Sequence, residues 1–175
     1  MQKVKLPHQV DPVKSAVKRS DYQGVIASKD LGRLLDAVVR CDDWVNAEVQ
    51  FSKDAQGLTV FHGHLSTQVS LICQRCNGEF DHALNVDFCF SPVQGSDEID
   101  TLPEAYDPVE VNDHGEVSLL HLFEDELIIA LPIIPLHAEE ECNIGKDDMT
   151  FGKLEPEQER PNPFAVLKEL KRDQE

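Results

Sequence analysis

The stretch from Leu65 to Phe90 constrains the fold more than any other part of the chain. Leu65, Thr67, Val69 and Leu71 alternate with Ser66, Gln68 and Ser70. Beyond a Cys73-Gln74-Arg75-Cys76-Asn77-Gly78 reversal, Phe80, His82, Leu84, Val86, Phe88 and Phe90 alternate with Asp81, Ala83, Asn85, Asp87 and Cys89. A period of two places successive side chains on opposite faces, which is the mark of a half-buried strand. Asn77-Gly78 is suited to the positive φ of a tight reversal. The expected structure is a β-hairpin whose tip carries two thiols three residues apart, their sulfurs aimed at a common point.

The charge is lopsided. Of the net −17, residues 1–20 contribute +4, residues 21–96 contribute −5, and residues 97–175, with six basic and twenty-two acidic side chains, contribute −16. Affinity for bare nucleic acid comes mostly from Lys and Arg neutralising phosphates, so the far half is a poor RNA clamp and suits basic protein partners better. A length of 175 residues fits one domain burying about two-thirds of its unfolded surface. Five cysteines with no apolar leader after Met1 fit reduced thiols and a cytoplasmic location. The longest apolar run, Leu127 to Leu136, spans ten residues and contains Pro132 and Pro135. That is too short and too broken to cross a bilayer.

Around the hairpin the sequence predicts further elements. Val4 to Leu6 reads as extended. Asp11-Pro12 reads as a helix start carrying Lys14, Lys18 and Arg19, and Tyr22 to Ile26 as a strand. Leu31, Leu34, Leu35, Val38 and Val39 form one stripe of a helix beginning at Asp30. Val45, Ala47, Val49 and Phe51 alternate as a strand. A second runs from Leu58 to Ile72, with a bend or bulge at His62-Gly63-His64. Ser91 to Tyr106 reads as a loop, and Val109 and Val111 mark a short strand. Ser118 caps a second helix whose stripe is Leu120, Phe123, Leu127, Ile128 and Leu131, with Glu124, Asp125 and Glu126 on its wet side and Pro132 after it. Pro161-Asn162-Pro163 opens a last short helix. The expectation is an α+β fold: an antiparallel β-meander or partly closed sheet flanked by two main helices, with an acidic, partly disordered loop and a short C-terminal helix. Residues 1–137 would form the domain, 138–161 the acidic loop or linker, and 162–175 the terminal helix.

Cys73 and Cys76 are the residues best suited to site chemistry. A zinc knuckle needs two thiolates on a tight turn with a glycine just after, and two more ligands from elsewhere. By residue type His137 and Cys142 can complete a Cys₃His set and tie the acidic loop to the hairpin; the alternative is that the thiols are small residues at a strand turn. A redox pair fits poorly, because Cys76 leads into a strand rather than a helix whose N-terminus would lower a thiol pKa. Cys41 and Cys89 read as small core or boundary residues. His62 and His64 share a face if the strand is regular, which suits a surface kink better than a metal. No Gly-x-Ser-x-Gly, phosphate-cradling glycine loop or His-Glu-x-x-His occurs. Lys14, Lys18 and Arg19 are the one candidate phosphate contact. Phe164 and Leu167, with Leu170, are candidate partner contacts on the terminal helix.

Several blocks in order along the chain carry a family likeness. They are Met1-Gln2-Lys3-Val4-Lys5-Leu6-Pro7, Asp21-Tyr22-Gln23-Gly24, Cys73-Gln74-Arg75-Cys76, Phe90-Ser91-Pro92-Val93, Leu102-Pro103-Glu104-Ala105-Tyr106, Glu124-Asp125-Glu126 running into Leu131-Pro132, and Pro161-Asn162-Pro163-Phe164-Ala165-Val166-Leu167. Together they resemble the YceD family of large ribosomal RNA subunit accumulation proteins. The resemblance implies a part in the synthesis, processing or stability of 23S rRNA, and no catalytic residues carry over from it. Many relatives have a further cysteine-rich stretch in the second half, where this chain offers His137 and Cys142. Joined to the charge argument, it points to a non-enzymatic biogenesis factor working through basic large-subunit proteins or assembly factors. The alternatives are a zinc-knuckle module contacting rRNA directly and a metal-dependent rRNA-processing enzyme.

Overall fold

The computed structural model describes residues 6–145, together with 148 and 152. In chain order its elements are β1 (Gln9–Val10), α1 (Pro12–Lys18), β2 (Asp21–Ala27), a 3-10 turn (Ser28–Asp30), α2 (Gly32–Ala37), β3 (Arg40–Cys41), β4 (Trp44–Lys53), β5 (Thr59–Ile72), β6 (Glu79–Val93), α3 (Ser96–Ile99), β7 (Asp107–Glu110), β8 (Val117–Ser118) and α4 (Leu119–Ile129). Met1–Cys142 form one compact unit and Asn143–Glu175 a second. In the second, the Gly145 amide donates to Asp148.

The fold is α+β. Its main sheet runs in the order β2-β4-β5-β6-β7, and β3 joins the same edge of β5 as β4. The pairs β2–β4, β4–β5 and β5–β6 are antiparallel, whereas β7 lies parallel to β6. The sheet is therefore open, ending in β2 on one side and β7 on the other, and is neither purely antiparallel nor partly closed. A two-stranded ladder of β1 with β8 ties the N-terminal segment to the start of α4.

The alternation read from the sequence defines the core. Val45, Val49, Phe51, Phe61, Leu65, Val69, Leu84, Phe88 and Phe90 are buried on one face of the sheet, and Ala16, Leu34, Leu119, Phe123 and Leu127 from the helices close over them. The register sets Phe51 opposite Phe61 and Phe61 opposite Phe90. The rings continue as a row from Tyr22 through Phe51, Phe61, Phe90 and Phe88 to Phe123 of α4, with centroids 5.1–5.9 Å apart. Such aromatic pairs add about 0.5–1.5 kcal/mol each beyond the area they bury.

Several expectations change. The helix expected from Asp30 to Val39 contracts to the 3-10 turn and α2, because Val38 turns extended (φ −123°, ψ 162°) and the Val39 amide donates to Ser70 O at 2.9 Å. Two β-branched residues beside an open strand edge favour the ladder over another helical turn. No bulge interrupts β5 at Gly63, since both ladders keep their register through it. A Cβ there would lie 1.9 Å from Glu48 O and 2.6 Å from the Phe88 ring, so the glycine serves close strand approach. The expected loop after Ser91 begins only past Val93, where β6 ends, and contains α3.

Glu124 is not on the wet side of α4. It is buried, and its carboxylate accepts from the Arg33 amide at 2.7 Å, the Leu34 amide at 3.3 Å and the Arg33 side chain at 2.9 Å. The Leu31 position before α2 offers no side-chain cap. Glu124 supplies that cap from another helix, satisfying amides that a helix start leaves open. Burial pushes its carboxyl up, but the guanidinium and the two amides outweigh that and hold it below the ordinary value. Asp11 caps α1 in the ordinary local way, accepting from the Lys14 amide at 2.9 Å.

Candidate metal centre

The tip joining β5 to β6 is a six-residue reversal closed by two hydrogen bonds of 2.8 Å, Cys73 N to Gly78 O and Asn77 N to Cys73 O. Of the two residues expected to take a positive φ, Asn77 alone does so, at 56°. Gly78 matters for room: a Cβ there would stand 3.3 Å from both Cys76 Sγ and the His137 ring.

The second half of the cluster comes from beyond α4. Ser118 caps that helix through the His121 amide, and Pro132 follows its end. Residues 131–137 then run as an irregular strap, bent at 131, 133 and 134, to the hairpin tip. There the Gln74 amide donates to Pro135 O at 2.9 Å and the His137 amide reaches Cys73 Sγ at 3.4 Å. The His137 ring packs against Phe80 with centroids 4.9 Å apart, leaving Nδ1 3.3 Å from Cys76 Sγ. A turn closed by Glu141 N to Ala138 O brings Cys142 back to the same point. The ligand atoms of Cys73, Cys76, His137 and Cys142 all lie within 4.8 Å of one another, the one such group of His, Cys, Asp or Glu among the described residues.

These residues fit a tetrahedral soft-metal site. Zinc–sulfur bonds of about 2.3 Å imply tetrahedron edges of about 3.8 Å, so the cluster needs to contract by no more than about 1 Å. The thiol chemistry agrees. Cys73 is fully enclosed, and burial opposes its ionisation. Amides of His137, Cys76 and Arg75 and the His137 side chain overcome that and bring it down to about 5. The Gly78 amide pulls Cys76 the same way, but burial and the neighbouring Cys73 and Cys142 sulfurs win, and Cys76 is pushed up. Three sulfurs packed this closely can all be thiolates only with a cation among them. Cys41 and Cys89 lie elsewhere on the sheet, both pushed up chiefly by burial.

The other candidate residues are not drawn into this cluster. Lys14 bonds back to Asp11 at 2.8 Å, and Lys18 and Arg19 stand at the end of α1, where Arg19 takes the left-handed conformation that terminates the helix. His64 Nδ1 meets Asp87 at 2.8 Å, and His62 shares its face of the sheet. Phe164 and Leu167 lie outside the described residues. One feature was not foreseen. Ile133 and Ile134 of the strap are 95% and 61% exposed, although large aliphatic side chains are most often buried.

A family model described as "Large ribosomal RNA subunit accumulation protein YceD" matches residues 61–171. A Haemophilus influenzae protein of that same name is 45% identical over 173 residues, covering 98% of this chain and 99% of the relative. The chain belongs to the YceD family. The matched span takes in all four residues of the thiol cluster. No solved structure matches the chain. No helix among the described residues is long and apolar enough to cross a membrane.

Proposed function

We propose that this chain is a non-enzymatic factor supporting accumulation of 23S rRNA in the cytoplasm. It works through basic large-subunit proteins or assembly factors, with zinc held by Cys73, Cys76, His137 and Cys142 as a structural ion. The observation that carries this reading is the likeness, over nearly the full length of both chains, to a protein named for large-subunit rRNA accumulation. The donor set supports a structural role for the metal. Four protein ligands fill a tetrahedral ion, whereas catalytic zinc keeps one position open for water or substrate. Residues 97–175, at −16, support a cationic protein partner over a direct grip on phosphates.

Depleting the protein from its cells should lower 23S relative to 16S rRNA, and wild-type protein supplied in trans should restore the ratio. An unchanged ratio would sink the proposal. The purified protein should carry one zinc per chain, and Cys76→Ser should carry far less. Incubation with Mg²⁺ and precursor 23S rRNA should leave the RNA intact, and cleavage would favour the enzyme reading instead.

A further inference from the structure

The thiol cluster fastens a strap whose own side chains it does not use. Leu131 to Leu136 is apolar throughout. Ile133 and Ile134 point to solvent at 95% and 61% exposure, and Leu136 and, beside Cys73 on the hairpin, Ile72 are 40% and 44% exposed. Large aliphatic side chains normally leave water, and a cluster held out in it marks an interaction site. The strap has no helix or strand to stiffen it. It is held by the Gln74–Pro135 and His137–Cys73 hydrogen bonds and by whatever occupies the cluster.

The surrounding charge says what kind of surface can cover it. Glu139, Glu140 and Glu141 follow two residues beyond the strap, after His137 and Ala138, and are all exposed. Arg75 is the one Lys or Arg between residues 54 and 145, against eighteen acids. RNA would meet an anionic rim. A second copy would set that rim, and a net −17 chain, against its own like charge. A protein presenting an apolar spot ringed by Lys and Arg satisfies both the isoleucines and the glutamates.

We infer that the 131–136 strap, with Ile133 and Ile134 as its anchors, is the docking surface for a basic protein partner, and that the thiol cluster sets the strap in its binding conformation. This rests on the proposed function for the partner's class and adds the place of contact.

The test uses zinc-loaded full-length protein and RNA-free total protein extracted from large ribosomal subunits. Wild type should bind basic components of that extract. Ile133→Ser/Ile134→Ser, whose changed side chains are exposed, should keep its zinc and melting temperature yet bind at least tenfold more weakly. Stripping zinc should weaken wild-type binding to a similar degree. A photo-crosslinking side chain at position 133 should capture a basic protein, while one at Asn46, exposed on the sheet, should not. Undiminished binding by the double variant would overturn the docking surface and leave the functional reading standing. No binding by wild type would overturn the functional reading itself, and this inference with it. Crosslinks from position 133 to a second copy, to residues 161–175 of the same chain or to added 23S rRNA would each overturn the choice of partner.

Discussion

Two clasps hold this chain together across long sequence separations, and they are built on opposite principles. Glu124 reaches from α4 to the start of α2, ninety-one residues from Arg33, and finds there every donor its carboxylate needs. The hairpin tip meets the 131–142 segment through three sulfurs and an imidazole that crowd one another. The first is complete within the polypeptide. The second packs three sulfurs and an imidazole within 4.8 Å of one another, a donor set that suits a metal cation. A clasp of the first kind yields to mutation or acid, whereas one of the second kind, with the zinc proposed above, also answers to metal supply.

The largest expected effect separates them directly. Chelation of zinc, or Cys73→Ser, should lower stability by about 4 kcal/mol relative to protein in free zinc a thousandfold above its dissociation constant. Amide exchange should rise at 131–142 and stay unchanged at α2. A uniform loss across the fold would mean that the two clasps are not independent. Next in size, Arg33→Ala should lower stability by less than metal removal does, because it strips the charge partner from a buried carboxylate while the two backbone amides remain. Zinc content should not move, and a denaturation series read alongside elemental analysis checks both.

Acid provides the smallest and sharpest contrast. Glu124 is held below its ordinary 4.5 in the folded chain. The unfolded chain therefore takes up a proton first as pH falls. The contribution of the first clasp is fully present above the unfolded value and is lost as pH falls through the folded one. Glu124→Gln should flatten that limb of the stability profile. Added zinc should shift only the thiol clasp, where protons and metal compete for the same sulfurs. If excess zinc restores the Glu124 limb as well, the distinction fails.

Much of this was legible in the sequence where the information is local. The alternation from Leu65 to Phe90 identifies both strands of the hairpin and their buried faces, the 3-residue spacing of Cys73 and Cys76 marks the tip, and Ser118 with the stripe behind it marks α4. What stayed hidden depends on distant partners. Val38 and Val39 carry a helical spacing, but the free edge of β5 decides their fate. Glu124 looks like one of three wet acids until Arg33 is known to lie beside it. The exposure of Ile133 and Ile134 is not readable from their hydrophobicity, which says nothing about whether the fold has anything left to cover them.

The paired length of β5 and β6 has a consequence of its own. Their register runs without a slip for twelve residues, from Phe61–Phe90 to Ile72–Glu79, a span of about 40 Å at the usual rise per residue. The aromatic row anchors one end of this ribbon and the thiol tip caps the other. The hairpin thus fixes the distance between the aromatic core and the thiol tip, so the two ends keep their separation as a single rigid ladder.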